Sequence, residues 1–309
     1  MANQFKKTFL AELIRRHGKI KKLDRSQSLY QIEGTSVRLY IRYSKVHTDR
    51  GNRMFYGLRE EDLLQLEGCP SIICFLWNGQ KDPLFIQFSE YEEIFYSSAP
   101  ANDGQYKVQI FLKEDATELY IPKAGYFNVE GNLGWTELER IMDLSQSVPV
   151  PELTHSQVQT LLGAIGAYKG FDIWIPTSDR NSLDWNLVEY FNFCTALPSG
   201  FEQVKNILQE VDVVWIHRGS GKIRALFEVE HSTPIYSGLL RFNDIHLVAP
   251  ELRPRYSVVS DDKRRSLYVK QLNRPTFQRS GLSELCTFLG YVNVFEWYNR
   301  IKTSGKIPQ

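Results

Sequence analysis

Short runs of alternating or continuous apolar residues fill the first half of the chain. Those at 28–33, 36–43, 72–77, 83–88, 107–112 and 117–121 predict strands. Clusters of Gly, Asn, Asp and Pro at 78–83 and 99–104 place turns between them. Helical spacing marks 4–17, a basic amphipathic stretch, together with 59–66 and 135–143. Ser147-Val148-Pro149-Val150-Pro151 cannot continue a helix, which makes 147–152 a linker. Beyond it the order is clearer. Thr154 or Ser156 caps a helix to about Tyr168, with Val158, Leu161, Leu162 and Ile165 on one stripe. A strand at 172–175, a helix at 183–193 and paired strands at 211–216 and 223–230 follow. A helix at 235–246, a strand at 256–259 and a helix at 261–272 come next, then a strand at 286–291 and a helix at 293–303. The expected fold class is α/β, with an α-β-β-β-α-β core preceded by an α+β N-terminal domain.

Length and charge refine this picture. At 309 residues the chain exceeds a typical single domain, and the linker divides it into 1–146 and 153–309. A net charge of +1 gives no global field to attract a polyanion, so nucleic acid would need a local basic surface. Lys6, Lys7, Arg15, Arg16, Lys19, Lys21, Lys22 and Arg25 form one concentration, and Lys263-Arg264-Arg265 another. The cysteines, Cys69, Cys74, Cys194 and Cys286, show no metal-ligand spacing, and Cys74 and Cys286 sit in apolar runs as buried thiols. The expected compartment is a reducing cytoplasm. No leader is expected, because charges soon follow Phe9 and Leu10, and no apolar run approaches membrane-spanning length.

Candidate chemistry gathers on the 211–230 hairpin. Folded about Ser220 of Gly219-Ser220-Gly221, it sets Asp212 opposite Glu228 and Glu210 opposite Glu230. Directly opposed Cβ atoms lie roughly 5 Å apart, and like charges so placed repel. Carboxylates crowded between apolar runs call for a cation, and all-oxygen ligands favour Mg²⁺. Asp212 and Glu228 would hold the ion from adjacent strands, with the carbonyl of Val229 adding a backbone oxygen. Glu230 would orient or deprotonate the attacking water. The opposing reading is a solvated acidic face, since charged residues usually stay exposed. Val, Trp, Leu and Phe flank both strands and favour a buried sheet.

Asp212, Glu228-Val229-Glu230 and the order of elements around them resemble the PD-(D/E)xK nuclease superfamily, which includes most type II restriction endonucleases. The resemblance covers roughly residues 150–291. Phe227–Thr233 followed by Ile235–Arg241, Gly170–Pro176 followed by Asp179-Arg180, and Arg274–Phe277 resemble restriction-endonuclease-like proteins of the same group. It implies a restriction-endonuclease-like core with a mixed central sheet, metal ligands at Asp212 and Glu228, and a catalytic position at Glu230. Val211 stands where the motif name has proline. Glu230 stands where it has lysine, as in restriction enzymes that use glutamate there. The implied activity is Mg²⁺-dependent cleavage of double-stranded DNA by a homodimer, with the first domain contributing to recognition.

Cations around this site are candidates for DNA contact. Ser237 and Arg241, one turn apart on the following helix, reach either DNA backbone or the active-site edge, or they serve the helix surface. Arg180 lies after the first strand, where substrate would pass, or pairs with Asp179 in a turn. Lys263 and Arg264 begin a helix after a strand end and bind phosphate, unless Asp261 and Asp262 neutralise them. His231 reads as structural. The aromatics Phe55, Tyr56, Phe75, Trp77, Phe85, Phe88, Tyr91, Phe95 and Tyr96 read as core. Two other functions compete: a DNA-binding or interaction protein with an inert nuclease-like domain, motivated by Glu230 in place of lysine, and a nuclease for RNA or branched DNA.

Overall fold

A computed structural model describes residues 2–304, apart from 24, 25, 49, 50, 147–149 and 233. Arg25, Thr233, residues 305–309 and most of the Ser147–Pro151 segment therefore lie outside the described residues. The chain divides into two compact units, Met1–Val148 and Pro149–Gln309. Among the described residues no helix is long and apolar enough to cross a membrane.

The first unit runs α1 (Ala2–His17), β1 (Ile20–Lys22), β2 (Leu29–Ile32), β3 (Arg38–Ser44), β4 (Arg53–Arg59), α2 (Glu60–Leu64), β5 (Ser71–Trp77) and β6 (Leu84–Gln87). It continues with α3 (Phe88–Ser98), β7 (Gln105–Leu112), β8 (Thr117–Ile121), β9 (Gly125–Asn128) and α4 (Thr136–Gln146). One sheet has the order β1-β2-β3-β5-β6 and the other β4-β7-β8-β9. Tyr56, Phe75, Trp77, Phe85, Phe88 and Phe95 are buried as expected, and Tyr91 and Tyr96 are partly buried. Phe55 is 44% exposed: β4 alternates, and its odd positions face outward.

The second unit runs α5 (His155–Tyr168), β10 (Phe171–Trp174), α6 (Lys205–Leu208), β11 (Val213–His217), β12 (Ile223–Glu230), α7 (Ile235–Val248) and β13 (Arg255–Ser260). Then come α8 (Arg265–Leu272), α9 (Pro275–Ser280), α10 (Leu282–Leu285), β14 (Cys286–Gly290) and α11 (Tyr291–Ser304). The sheet order is β10-β11-β12-β13-β14, antiparallel across β10, β11 and β12 and parallel across β12, β13 and β14. The class is mixed α/β with a mixed sheet. Every residue of β12 is buried, as a central strand covered on both faces requires. On one face Val214, Ile216 and Leu226 pack with Ile235, Leu239 and Phe242 of α7. On the other, α5 and α11 cover the sheet, with the Trp215 ring 5.4 Å from that of Trp297. Trp215 Nε1 donates to the Leu162 carbonyl of α5 at 3.0 Å.

Two expectations about elements are corrected. Residues 183–193 form no helix. The Asp184 carboxylate accepts from the Asn186 backbone N–H at 3.1 Å, a local bond that competes with helix formation. The segment is held instead by its aromatics, Phe191 packing 5.2 Å from both Trp185 and Phe193. Glu210 does not pair with Glu230, because the chain there is still turning out of α6, with Glu210 N–H donating to the Ile207 carbonyl. Pairing begins at Val213 opposite Phe227 and slips between Trp215 and Ile216.

Candidate active site

The site lies at the start of β11, the end of β12 and the first turns of α5 and α7. Asp212 immediately precedes β11, in line with the register that faces Val213 with Phe227. Its Oδ2 accepts from the Val229 backbone N–H at 2.6 Å, so the carboxylate is pinned to the neighbouring strand between Glu228 and Glu230. Leu226, Glu228 and Glu230 alternate onto the α7 face. There α7 presents Gly238. A Cβ at that position would stand 2.8 Å from Glu230 Oε1 and 3.0 Å from Glu228 Cβ, so the absent side chain makes room for both acids.

Glu228 has 0% side-chain exposure and accepts both a 2.8 Å bond from Arg241 Nε and a second bond from Arg241 Nη2. This two-pronged pairing suits a planar guanidinium and is a strong form of ion pair. Burial pushes the Glu228 carboxyl up, Arg241 pulls it back, and the negative charges of Asp212 and Glu230 push it up again. Burial likewise raises Asp212 to about 7. The Val229 N–H and Arg241 oppose that shift, while Glu230 and Asp179 add to it. Hydrogen bonding to Glu228 raises Arg241 further. Glu230 is 2% exposed.

The helix α5 brings residues that sequence reasoning did not include. Thr154 closes a capping box with Gln157, which fixes the first turn. His155, the first helical residue, has Nε2 3.6 Å from Asp212 Oδ1. Burial lowers the His155 pKa, against the pull of Asp179. Gln159, one turn on, donates to Asp179 Oδ2 at 3.2 Å and to the Asp212 carbonyl at 2.9 Å. A lone histidine beside a helix cap carries no pattern of its own, so only the fold brings it into view. Asp179 also borders a pocket lined by Trp174, Pro176, Thr177, Ser178, Gln209 and Glu210, whose ionisable side chains are both acidic.

Two other expected cations, Arg180 and Arg264, are engaged within the chain. Arg180 does not pair with Asp179 but donates to the carbonyls of Ile175 at 2.9 Å and Cys194 at 3.1 Å, stacking over Phe193. Arg264 Nη1 holds the carbonyls of Glu230 and His231, each at 2.7 Å. Asp262 pairs with Arg265, and Asp261 accepts from the Lys263 backbone N–H, leaving the Lys263 side chain exposed. Ser237 is spent on the Pro234 carbonyl, and His231 stacks on Tyr291.

The donor set fits a divalent ion. Burial disfavours the charge of Asp212 and of Glu228, Arg241 supplies one cation against them, and one ligand atom each of Asp212, His155 and Asp179 lies within 4.8 Å of the others.

Comparison with known proteins places this unit among others. The sequence model of the type II restriction enzyme NmeDI C-terminal domain matches residues 142–305. The type II restriction enzyme NmeDI of Neisseria meningitidis serogroup C is 31% identical over 134 residues, 40% of this chain and 37% of that enzyme. The matched stretch thus spans well under half the length of that relative. No solved structure matches the chain significantly.

Proposed function

The chain belongs to the family of the type II restriction enzyme NmeDI C-terminal domain, and on that premise we propose that it is a Mg²⁺-dependent endonuclease hydrolysing phosphodiester bonds of double-stranded DNA. The observation that carries the reading is the 2.6 Å bond from Val229 N–H to Asp212, which fastens one part-buried carboxylate beside the strand bearing two buried ones. Asp212, Glu228 and the Val229 carbonyl would hold the ion, in the manner of the PD-(D/E)xK nucleases. A bound Mg²⁺ supplies charge neutralisation at the scissile phosphate and a more acidic water. Glu230, on the same face as Glu228, would orient that water and accept its proton. Arg241 favours the ionised form of Glu228 against its burial and aligns the carboxylate. Lys263 is the exposed cation available to the DNA backbone; Arg180 and Arg264 would act chiefly by shaping the loops on which substrate lies. Cleavage of both strands is expected from a homodimer, with the first unit assisting recognition.

A second reading, an inert nuclease-like domain that binds DNA or a partner, is favoured by Arg241 engaging both oxygens of Glu228. Incubation of the protein with phage genomic DNA and Mg²⁺, followed by sequencing of cut ends, separates the two. Discrete Mg²⁺-dependent ends support the endonuclease. Intact DNA, with no Mg²⁺ or Mn²⁺ binding by calorimetry, favours the inert domain.

A further inference from the structure

We propose that His155, Asp179 and Asp212 form a second cation site, one that takes a nitrogen-tolerant first-row ion such as Mn²⁺ or Zn²⁺. The nuclease reading enters only through Asp212, which the two sites share.

One ligand atom from each of the three lies within 4.8 Å of the others. Two ligands on opposite sides of an ion, at bonds of about 2.0–2.2 Å, stand about 4.2 Å apart. Small side-chain rotations therefore close the cluster around a metal. The three come from separate elements, and each is already oriented. The capping box fixes the turn that starts with His155. Asp179 sits in a turn closed by its N–H to the Pro176 carbonyl at 3.0 Å. Val229 N–H takes Oδ2 of Asp212, while Oδ1 faces His155. Partners of this kind, which hold ligands rather than the metal, strengthen metal sites.

Gln159 supplies an independent observation. It is 1% exposed and bridges Asp179 to the Asp212 backbone, yet its Oε1 is buried with no hydrogen-bond partner among the described residues. An orphaned acceptor on that amide is satisfied by an ion or its bound water. Two carboxylates and a neutral imidazole balance a divalent charge. Imidazole disfavours Mg²⁺, and the mixed nitrogen and oxygen set favours Mn²⁺ through Zn²⁺. His155 is 38% exposed at its side chain, and Asp179 borders the open pocket, so an ion can enter.

Titration of the full chain with Mn²⁺ alone, by calorimetry, tests the site. Wild type is expected to bind two ions. His155→Ala and Asp179→Asn each weaken one of them by at least about 10-fold. Glu228→Gln weakens the other, and Mg²⁺ binding is insensitive to His155→Ala. Thermal unfolding checks that each variant folds, and His155→Gln replaces any that does not. Unchanged Mn²⁺ binding in both His155 and Asp179 variants overturns the second site, whether or not Glu228→Gln has an effect. Loss in those two variants with an unaltered Glu228→Gln protein upholds it and removes Glu228 from the nuclease reading.

Discussion

Asp212 is the side chain on which both proposed sites turn, and its acidity is a measurable consequence of its surroundings. Burial raises its carboxyl from the usual 3.8 to about 7. Between those values the folded state keeps a proton that the unfolded chain releases, so rising pH favours unfolding. Metal-free stability should fall from about pH 4 to about pH 7 through this group and then level off. Urea unfolding in chelator across that range is expected to show the slope, reduced in Asp212→Asn by up to a few kcal/mol. A slope unaltered by the substitution would remove Asp212 as its source. Arg241 makes a second case. Arg241→Gln leaves Glu228 buried without its cation, at a cost of about 3–5 kcal/mol. Added Mg²⁺ should restore much of that stability if Glu228 is a metal ligand, and melting curves with and without Mg²⁺ will show it.

The sheet and its covering helices hold these side chains in place, and close approach is the means. A Cβ on Gly166 of α5 would stand 2.4 Å from Trp215 Nε1 and 2.6 Å from Ile173 Cδ1. Gly166→Ala therefore forces α5 off the sheet. The expected cost is about 1–3 kcal/mol, a Tm lower by roughly 2–10 °C; an unchanged Tm would show that the indole gives way freely. Much of this arrangement was legible beforehand. The period-3.6 stripe of α5, the apolar blocks of β12 and β13 and the helix after β12 were all expected near their observed bounds. The pairing of Asp212's strand with that of Glu228 followed from the Gly-Ser-Gly turn alone. Four elements of the first unit, β1, β4, α3 and β9, were not expected. β9 has only four residues and two exposed positions, too short to show a period. The helix expected at 183–193 failed because Leu183, Val188 and Phe191 make no continuous helical stripe, while Asp184 turns the chain locally.

Across the chain, composition excluded little, and the functional reading came from one hairpin and the elements around it. The partnership of α5 with Asp212 was illegible because His155 and Gln159 lie more than fifty positions away and follow no shared spacing; only the folded sheet brings them together. Likewise nothing in the spacing of Glu228 and Arg241 distinguished a DNA contact from an ion pair, and the helix start at Ile235 decides it by placing Arg241 above the strand. Metal-dependent cleavage is the central expectation for this protein. Plasmid DNA incubated with the full chain and Mg²⁺ should be cut by wild type. The rate should drop by about 10²-fold or more in Asp212→Asn and in Glu228→Gln, the several kcal/mol that a metal ion contributes. Cleavage at the wild-type rate by either variant, folded as judged by its melting curve, would contradict it.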